Sequence, residues 1–120
     1  MTVNVLIAEN DPLIRKPLTR WLKNVPSLNV TYVWTVKGLL NALAVEPYDI
    51  VVLDNTLDDG KTIEEIDVIM AAAGAATILS FSSDVFPPEQ ERKLTKLGIE
   101  IRDKEVRALA DRIKELAQEC

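Results

Sequence analysis

Five short apolar runs of the sequence alternate with five segments whose apolar residues recur at helical spacing. The clearest run covers residues 50–53, where four apolar residues follow one another without the polar alternation of a half-exposed strand. Strands that are apolar at every position are typical of parallel sheets, because helices cover both faces of such sheets. Regular alternation of strands and helices indicates βαβ units. The alternation therefore predicts a three-layer α/β domain built from five βα units.

Proline and capping residues mark where the helices should begin. Asp11 followed by Pro12 is typical of an N-cap and the first helical position. Thr62 and Glu65 have the spacing of a capping box and predict a helix start there. Pro17 lies inside the first helical segment and predicts a bend or a late start, because an interior proline removes a backbone hydrogen bond. The predicted strands cover residues 3–8, 30–34, 50–53, 77–81 and 99–101.

The length and the rare residues narrow the class of protein. A chain of 120 residues predicts one domain, covering residues 1–120. The chain has no histidine, which excludes Ser-His and Cys-His catalytic pairs and the usual zinc sites. Its only cysteine is Cys120, which has no internal disulfide partner, so we expect a reducing, cytoplasmic location. No apolar run approaches the ~20 residues of a membrane span, and we expect no membrane association.

The charges are unevenly distributed along the chain. The net charge is −5, and nine acidic residues but only one basic residue, Lys61, lie between Glu46 and Asp84. An acidic chain without a basic stripe is a poor nucleic-acid binder, so we expect no nucleic-acid partner. The acidic segment is compatible with a bound cation. A solvated acidic surface that keeps the protein soluble explains it equally well.

Polar side chains follow four of the predicted strands at their carboxyl ends. Glu9 and Asn10 follow the first strand, Asp54 the third, Ser82 the fourth and Lys104 the fifth. Ligands of open α/β sheets bind at this edge. Converging carboxylates repel each other, and a hard divalent cation with oxygen ligands would relieve the repulsion. A hydroxyl and an ammonium group opposite them would suit an oxyanion such as a phosphoryl group.

This arrangement, over the whole chain, resembles the receiver domain of two-component response regulators. The resemblance implies a flavodoxin-like fold with a five-stranded parallel sheet in the order 2-1-3-4-5. It implies phosphoryl transfer to Asp54 from a histidine kinase or a phosphotransfer protein, with Mg²⁺ as cofactor, in the cytoplasm. A receiver of this kind is a signalling domain, and at most an autocatalytic phosphoacceptor, rather than an enzyme.

The resemblance also implies roles for the other residues at the strand ends. The metal site would consist of Glu9, Asn10, Asp54 and the backbone carbonyl of Thr56. Ser82 and Lys104 would bind the phosphoryl group, and Ile101 occupies the position of the switching aromatic residue found in many receivers.

Two departures from the family pattern keep a second interpretation open. Asn10 is neutral where the family usually has a metal-binding aspartate, so we expect weak Mg²⁺ binding. Ile101 replaces the switching aromatic residue. The alternative is a pseudo-receiver, a protein-interaction module that works without phosphorylation. Asp58 and Asp59 are interpreted as turn residues, and a turn role is the competing interpretation of Asp54. A phosphatase of the haloacid-dehalogenase type is disfavoured, because Thr56 lacks the second carboxylate of that motif.

The last two βα units are a candidate partner-binding face. Residues 89–120 carry eight acidic and eight basic residues, interleaved along the sequence. In receivers this region mediates dimerisation or output binding, so we expect a homodimer or an output partner through residues 87–120. We expect charge reversal at Arg107 and Arg112 to weaken that association without unfolding the domain. An ordinary solvated amphipathic surface is the competing interpretation.

Overall fold

A five-stranded parallel sheet forms the centre of the computed structural model, which describes residues 2–120. The strands along the chain are β1 (Val3–Ala8), β2 (Leu28–Val33), β3 (Ile50–Leu53), β4 (Thr56–Leu57), β5 (Gly60–Lys61), β6 (Thr77–Phe81) and β7 (Glu100–Arg102). The large sheet has the order β2-β1-β3-β6-β7, with every neighbouring pair parallel, whereas β4 and β5 form a small antiparallel hairpin. Counted along the sheet strands only, this is the predicted order 2-1-3-4-5, which is confirmed.

In residues 2–120, five α-helices cover the two faces of the sheet. They are α1 (Pro12–Leu22), α2 (Val36–Val45), α3 (Ile66–Ala73), α4 (Pro88–Lys96) and α5 (Val106–Glu119). Helices α1 and α5 contribute to one hydrophobic core, and α2, α3 and α4 contribute to the other. Among residues 2–120, no helix combines the length and the apolar character needed to cross a membrane.

The central strand β3 joins the two cores. Val51 and Leu53 pack in the core beneath α2, α3 and α4, while Ile50 and Val52 pack in the core beneath α1 and α5. All four side chains are buried, as the uninterrupted apolar run predicts. Because β3 is held on both faces and by two neighbouring strands, the residue that follows it has a fixed position.

The first helix and the second strand differ from the predicted bounds. Helix α1 begins at Pro12, where the Asp11 side chain accepts a hydrogen bond of 2.9 Å from the Leu13 N–H, as predicted for an N-cap. The helix continues through Pro17, so the late start is wrong. Strand β2 begins two residues earlier than predicted, and β7 covers residues 100–102 rather than 99–101.

The predicted capping box at Thr62 and Glu65 is also wrong. A 3-10 helix covers Thr62–Glu65, neither it nor α3 has a side-chain cap, and α3 begins only at Ile66. The Thr62 hydroxyl instead donates a hydrogen bond of 3.1 Å to the backbone carbonyl of Asp54. A buried hydroxyl needs a partner, and this carbonyl supplies one. Thr62 therefore anchors the segment that follows β3.

Candidate functional site

The carboxyl ends of β1 and β3 place Glu9 and Asp54 next to each other. Ala8 and Leu53, the last residues of these strands, are register partners. The Asp54 N–H continues the ladder by donating to the Ala8 carbonyl at 3.0 Å. Both acidic side chains are buried, with residue exposures of 1% for Glu9 and 5% for Asp54. The sheet therefore brings two carboxylates into a site largely shielded from water.

Lys104 connects these two carboxylates. Its Nζ lies 3.0 Å from Asp54 Oδ2, to which it donates a hydrogen bond, and 3.0 Å from Glu9 Oε1. The contact with Glu9 is an ion pair without hydrogen-bond geometry, since Glu9 Oε1 has no hydrogen-bond partner among the described residues. The ammonium nitrogen also lies 5.7 Å from the ring centroid of Phe81, the last residue of β6.

Burial and ion pairing shift the pKa values of this cluster in opposite directions. Burial raises the pKa of Glu9 above its usual value, although contacts with Lys104 and the Asp11 N–H favour its charged form. For Lys104, burial is the largest single effect and lowers the pKa, but the contacts with Asp54 and Glu9 together outweigh it and raise the pKa. Lys104 therefore stays positively charged, and its charge is the main compensation for the two buried carboxylates.

Asn10 lies at the same edge but faces the β4–β5 hairpin. Its Nδ2 donates a hydrogen bond of 3.0 Å to Asp58 Oδ1. Asp58 and Asp59 form the turn of the hairpin, as predicted. Asp59 in addition accepts hydrogen bonds from the N–H groups of Val36 (2.6 Å) and Lys37 (3.1 Å), the first residues of α2. These contacts, the Val36 one foremost, lower the pKa of Asp59 and fasten the hairpin to the helix N-terminus.

A second hydrogen-bond group beside Asp54 was not predicted. Asp84 Oδ2 accepts hydrogen bonds from the Asn55 side-chain amide (2.7 Å) and from the Thr56 hydroxyl (2.9 Å). The bond from Asn55, followed by that from Thr56, lowers the pKa of Asp84. The Asp84 N–H donates to Ser82 Oγ at 3.1 Å. No periodic pattern connects Asn55 with Asp84 across the 29 residues that separate them, so the sequence gives no signal for this group.

Some of the donor atoms at this edge are of the type that binds Mg²⁺. Mg²⁺ commonly uses one or two carboxylates and keeps several water ligands. Glu9 and Asp54 supply two carboxylates, and among residues 2–120 Glu9 Oε1 has an ion pair with Lys104 but no hydrogen bond. Nowhere in the described part of the chain do three acidic or cysteine side chains converge in a way that could hold a metal. Any cation here would therefore also need amide, backbone or water oxygens, with Asn10 and the Thr56 carbonyl the nearest by sequence.

The predicted site residues fall into three groups in the structure. Glu9, Asp54 and Lys104 form one ion-paired cluster. Asn10, Thr56 and Ser82 lie in the surrounding segments, where their side chains contact Asp58 or Asp84. Ile101 lies on β7 and is 38% exposed.

Comparison with known proteins identifies the fold but no sequence relative. No family model matches the chain, and no curated protein matches it. Solved structures match over nearly the whole chain. A response regulator receiver domain from Francisella has a TM-score of 0.80 at 17% identity and covers 98% of each chain. A CheY-like receiver domain protein from Methanospirillum hungatei JF-1 has a TM-score of 0.80 at 17% identity, with 99% of this chain and 96% of that chain covered.

The BeF3-activated receiver domain of DrrB is a third similar structure. It has a TM-score of 0.77 at 21% identity and covers 98% of this chain and 99% of its own. These structures show that the chain has the CheY-like receiver fold, as the resemblance implied. At such low identities the match establishes the fold alone.

Proposed function

We propose that this chain is a receiver domain that accepts a phosphoryl group on Asp54 from a histidine kinase or a phosphotransfer protein. The observation that carries the proposal is the contact of 3.0 Å between Lys104 Nζ and Asp54 Oδ2 at the carboxyl edge of the sheet. The receiver fold of the solved neighbours supports the same conclusion. A domain that a histidine kinase phosphorylates would work in the cytoplasm. A chain with a single cysteine, Cys120, suits such a reducing compartment.

The residues around Asp54 suit an in-line transfer of a phosphoryl group. A carboxylate oxygen of Asp54 would form a bond to phosphorus while the phosphorus–nitrogen bond of the donor histidine breaks and its electron pair stays on nitrogen. Lys104 would offset the negative charge of the phosphoryl oxygens, which is how such transfers are usually stabilised. Ser82 would supply a hydroxyl donor from the neighbouring loop. Mg²⁺, held by Glu9, Asp54 and oxygens near Asn10 and Thr56, would supply further charge neutralisation when bound.

Small phosphodonors test the proposal directly. The protein is incubated with acetyl phosphate and Mg²⁺, and the intact mass is measured at once because acyl phosphates hydrolyse. We expect a mass gain of one phosphoryl group in the wild type and none in Asp54→Asn. Asp111→Asn is the matched control, since Asp111 is an exposed carboxylate on α5, and it should react like the wild type. Equal labelling of Asp54→Asn and the wild type would contradict the assignment of Asp54.

A phosphorylation-independent pseudo-receiver is the second candidate, and the contact between Asn10 and Asp58 favours it. An amide that is turned to the hairpin adds no negative charge to a cation site. If the wild type stays unmodified and Asn10→Asp becomes modified, the fold has kept the phosphoacceptor but lost its cation support. That outcome would support the pseudo-receiver.

The proposed signal would be passed on through the face formed by α4, β7 and α5, to an output partner or a second copy of the chain. Two of its basic residues already serve contacts within the domain. The Arg112 guanidinium donates to Glu100 at 3.0–3.2 Å, and Arg107 lies 4.9 Å over the ring of Trp21. Reversal of these charges would disturb the domain itself, so other residues of the face are better probes of association.

A further inference from the structure

The loop between β6 and α4, residues 82–87, is held to the proposed phosphorylation site by one side chain. Asp84 Oδ2 accepts the hydrogen bonds from Asn55 Nδ2 (2.7 Å) and Thr56 Oγ1 (2.9 Å) described above. Among residues 2–120, these are the only hydrogen bonds that join residues 82–86 to another segment of the chain. Within the loop, Ser83 is exposed and Val85 is 95% exposed. The position of the loop therefore depends mainly on Asp84 and on the packing of Phe86 against the core.

Asn55, the partner of Asp84 in this contact, is buried and held by further hydrogen bonds. Asn55 is 5% exposed, and its Oδ1 accepts a hydrogen bond of 3.1 Å from the Ile63 N–H. Its backbone carbonyl accepts a second bond of 2.8 Å from the Thr62 N–H. Both partners lie in the 3-10 helix, whose Thr62 hydroxyl also binds the Asp54 carbonyl. The loop is thus fastened to the segment that carries Asp54, one residue beyond the proposed nucleophile.

The backbone N–H of the same residue contacts the hydroxyl proposed to bind the phosphoryl group. Ser82 Oγ accepts a hydrogen bond of 3.1 Å from the Asp84 N–H, which closes a tight turn over residues 82–84. Asp84 also brings a third carboxylate to the region where Glu9 and Asp54 share the single ammonium of Lys104. A phosphoryl group on Asp54 would add further negative charge next to Asn55, whose amide Asp84 accepts from, and like charges repel.

We propose that Asp84 is a positioning residue that latches the β6–α4 loop onto Asn55 and Thr56 in the unphosphorylated protein, and that a phosphoryl group on Asp54 displaces it. Displacement frees the Asn55 amide and the Thr56 hydroxyl. The latch itself is a property of the unmodified chain. Its displacement rests on the proposed phosphorylation of Asp54, so the two parts need separate measurements.

The latch is tested by NMR on the unmodified protein. In Asp84→Ala we expect the backbone order parameters of residues 83–85 to fall below about 0.6, the range of flexible segments. In Asp84→Asn they should stay close to the wild-type values, because the asparagine carbonyl accepts the same two hydrogen bonds. Ser83→Ala is the matched control, since Ser83 is exposed in the same loop. Unchanged order parameters in Asp84→Ala would overturn the latch.

Displacement is tested with beryllofluoride and Mg²⁺ as the probe, because it mimics a phosphoryl group on a carboxylate. In the wild type we expect the Asn55 side-chain amide resonances to shift towards those of Asp84→Ala. Asp84→Asn and Asp84→Ala should bind the probe about fivefold more tightly, as expected when one like charge at close range is removed. Ser83→Ala should bind like the wild type.

The outcomes separate this inference from the proposed function. If the probe binds but the Asn55 amide resonances do not move, displacement is overturned while the phosphoacceptor assignment stands. If neither the wild type nor any variant binds the probe, both the displacement of Asp84 and the proposed function are overturned. The order parameters of the unmodified proteins still decide whether Asp84 latches the loop.

Discussion

The ammonium nitrogen of Lys104 lies 3.0 Å from Oδ2 of Asp54, although fifty residues separate them along the chain. The same nitrogen lies 3.0 Å from Oε1 of Glu9. Two buried carboxylates and one ammonium leave the cluster with a net charge of −1 if all three are ionised. In that ionisation state either a cation or a proton would relieve the excess negative charge of the site.

Removal of the Lys104 charge should destabilise the fold. In Lys104→Met the apolar stem is largely kept, but Glu9 and Asp54 lose their shared counter-charge. Loss of one partner from a buried ion pair leaves an uncompensated charge, and we expect the free energy of unfolding to fall by about 3 kcal/mol. Urea unfolding at neutral pH measures the change. Lys96→Met, at an exposed position of α4, should stay within about 0.5 kcal/mol of the wild type.

A carboxylate at position 10 should strengthen cation binding. Asn10→Asp adds a negative charge beside Glu9 and Asp54 and replaces the hydrogen bond to Asp58 by repulsion. We expect Mg²⁺ affinity to rise about tenfold, the scale on which supporting groups change metal sites. The metal-free variant should be less stable than the wild type. Isothermal titration with Mg²⁺ measures the affinity.

Asn24→Asp is the control for position 10, since Asn24 is an exposed asparagine after α1 at the other end of that helix. It adds the same charge away from the carboxyl edge and should leave Mg²⁺ affinity unchanged. An Asn10→Asp protein with wild-type affinity would show that position 10 does not support a cation.

The core of this site was predictable because its residues follow apolar runs. The run at 50–53 and the register of parallel strands place Asp54 beside Glu9, and the order of the units places Lys104 on the same edge. Short-range patterns identify each strand end, and the topology of a parallel sheet brings the ends together.

The contacts that involve loops were not predictable in the same way. The spacing of Thr62 and Glu65 matched a capping box, but the Thr62 hydroxyl donates its hydrogen bond to the Asp54 carbonyl instead of capping a helix. Asp84 finds Asn55 only because two irregular segments meet in space. Hydrogen-bond partners between loops depend on their three-dimensional paths, on which hydrophobic periodicity carries no information.

The Glu100–Arg112 pair should stabilise the domain at neutral pH and lose this effect in acid. Hydrogen bonds from Arg112, and secondarily from Arg102, lower the pKa of Glu100 below its usual value. A lowered carboxyl pKa means that the stabilisation is present above the unfolded-state pKa and is lost as the pH falls through the folded-state pKa. Arg112→Gln should therefore be less stable than the wild type at pH 7, by at most about 1 kcal/mol for a partly exposed pair.

Urea unfolding at a series of pH values tests this dependence. The stability difference between wild type and Arg112→Gln should shrink as the pH falls below the usual carboxyl range. Arg92→Gln, at an exposed position of α4, should show a difference that does not change with pH. A difference for Arg112→Gln that stays constant down to the acid limit would assign its cost to packing rather than to charge.

Association through the α4–β7–α5 face should depend on Arg92 and Lys96. Both are exposed, and they lie four residues apart on α4, so their side chains project from the same side of the helix. The double variant Arg92→Glu, Lys96→Glu reverses this patch without touching the Glu100–Arg112 pair. We expect it to weaken self-association or output binding after addition of beryllofluoride and Mg²⁺, measured by sedimentation velocity.

Lys16→Glu with Arg20→Glu is the matched control, because these residues have the same spacing and exposure on α1, which covers the opposite face of the sheet. If both double variants sediment like the wild type, and the wild type neither dimerises nor retains a partner, residues 87–120 form an ordinary solvated surface and the signal must leave the domain elsewhere.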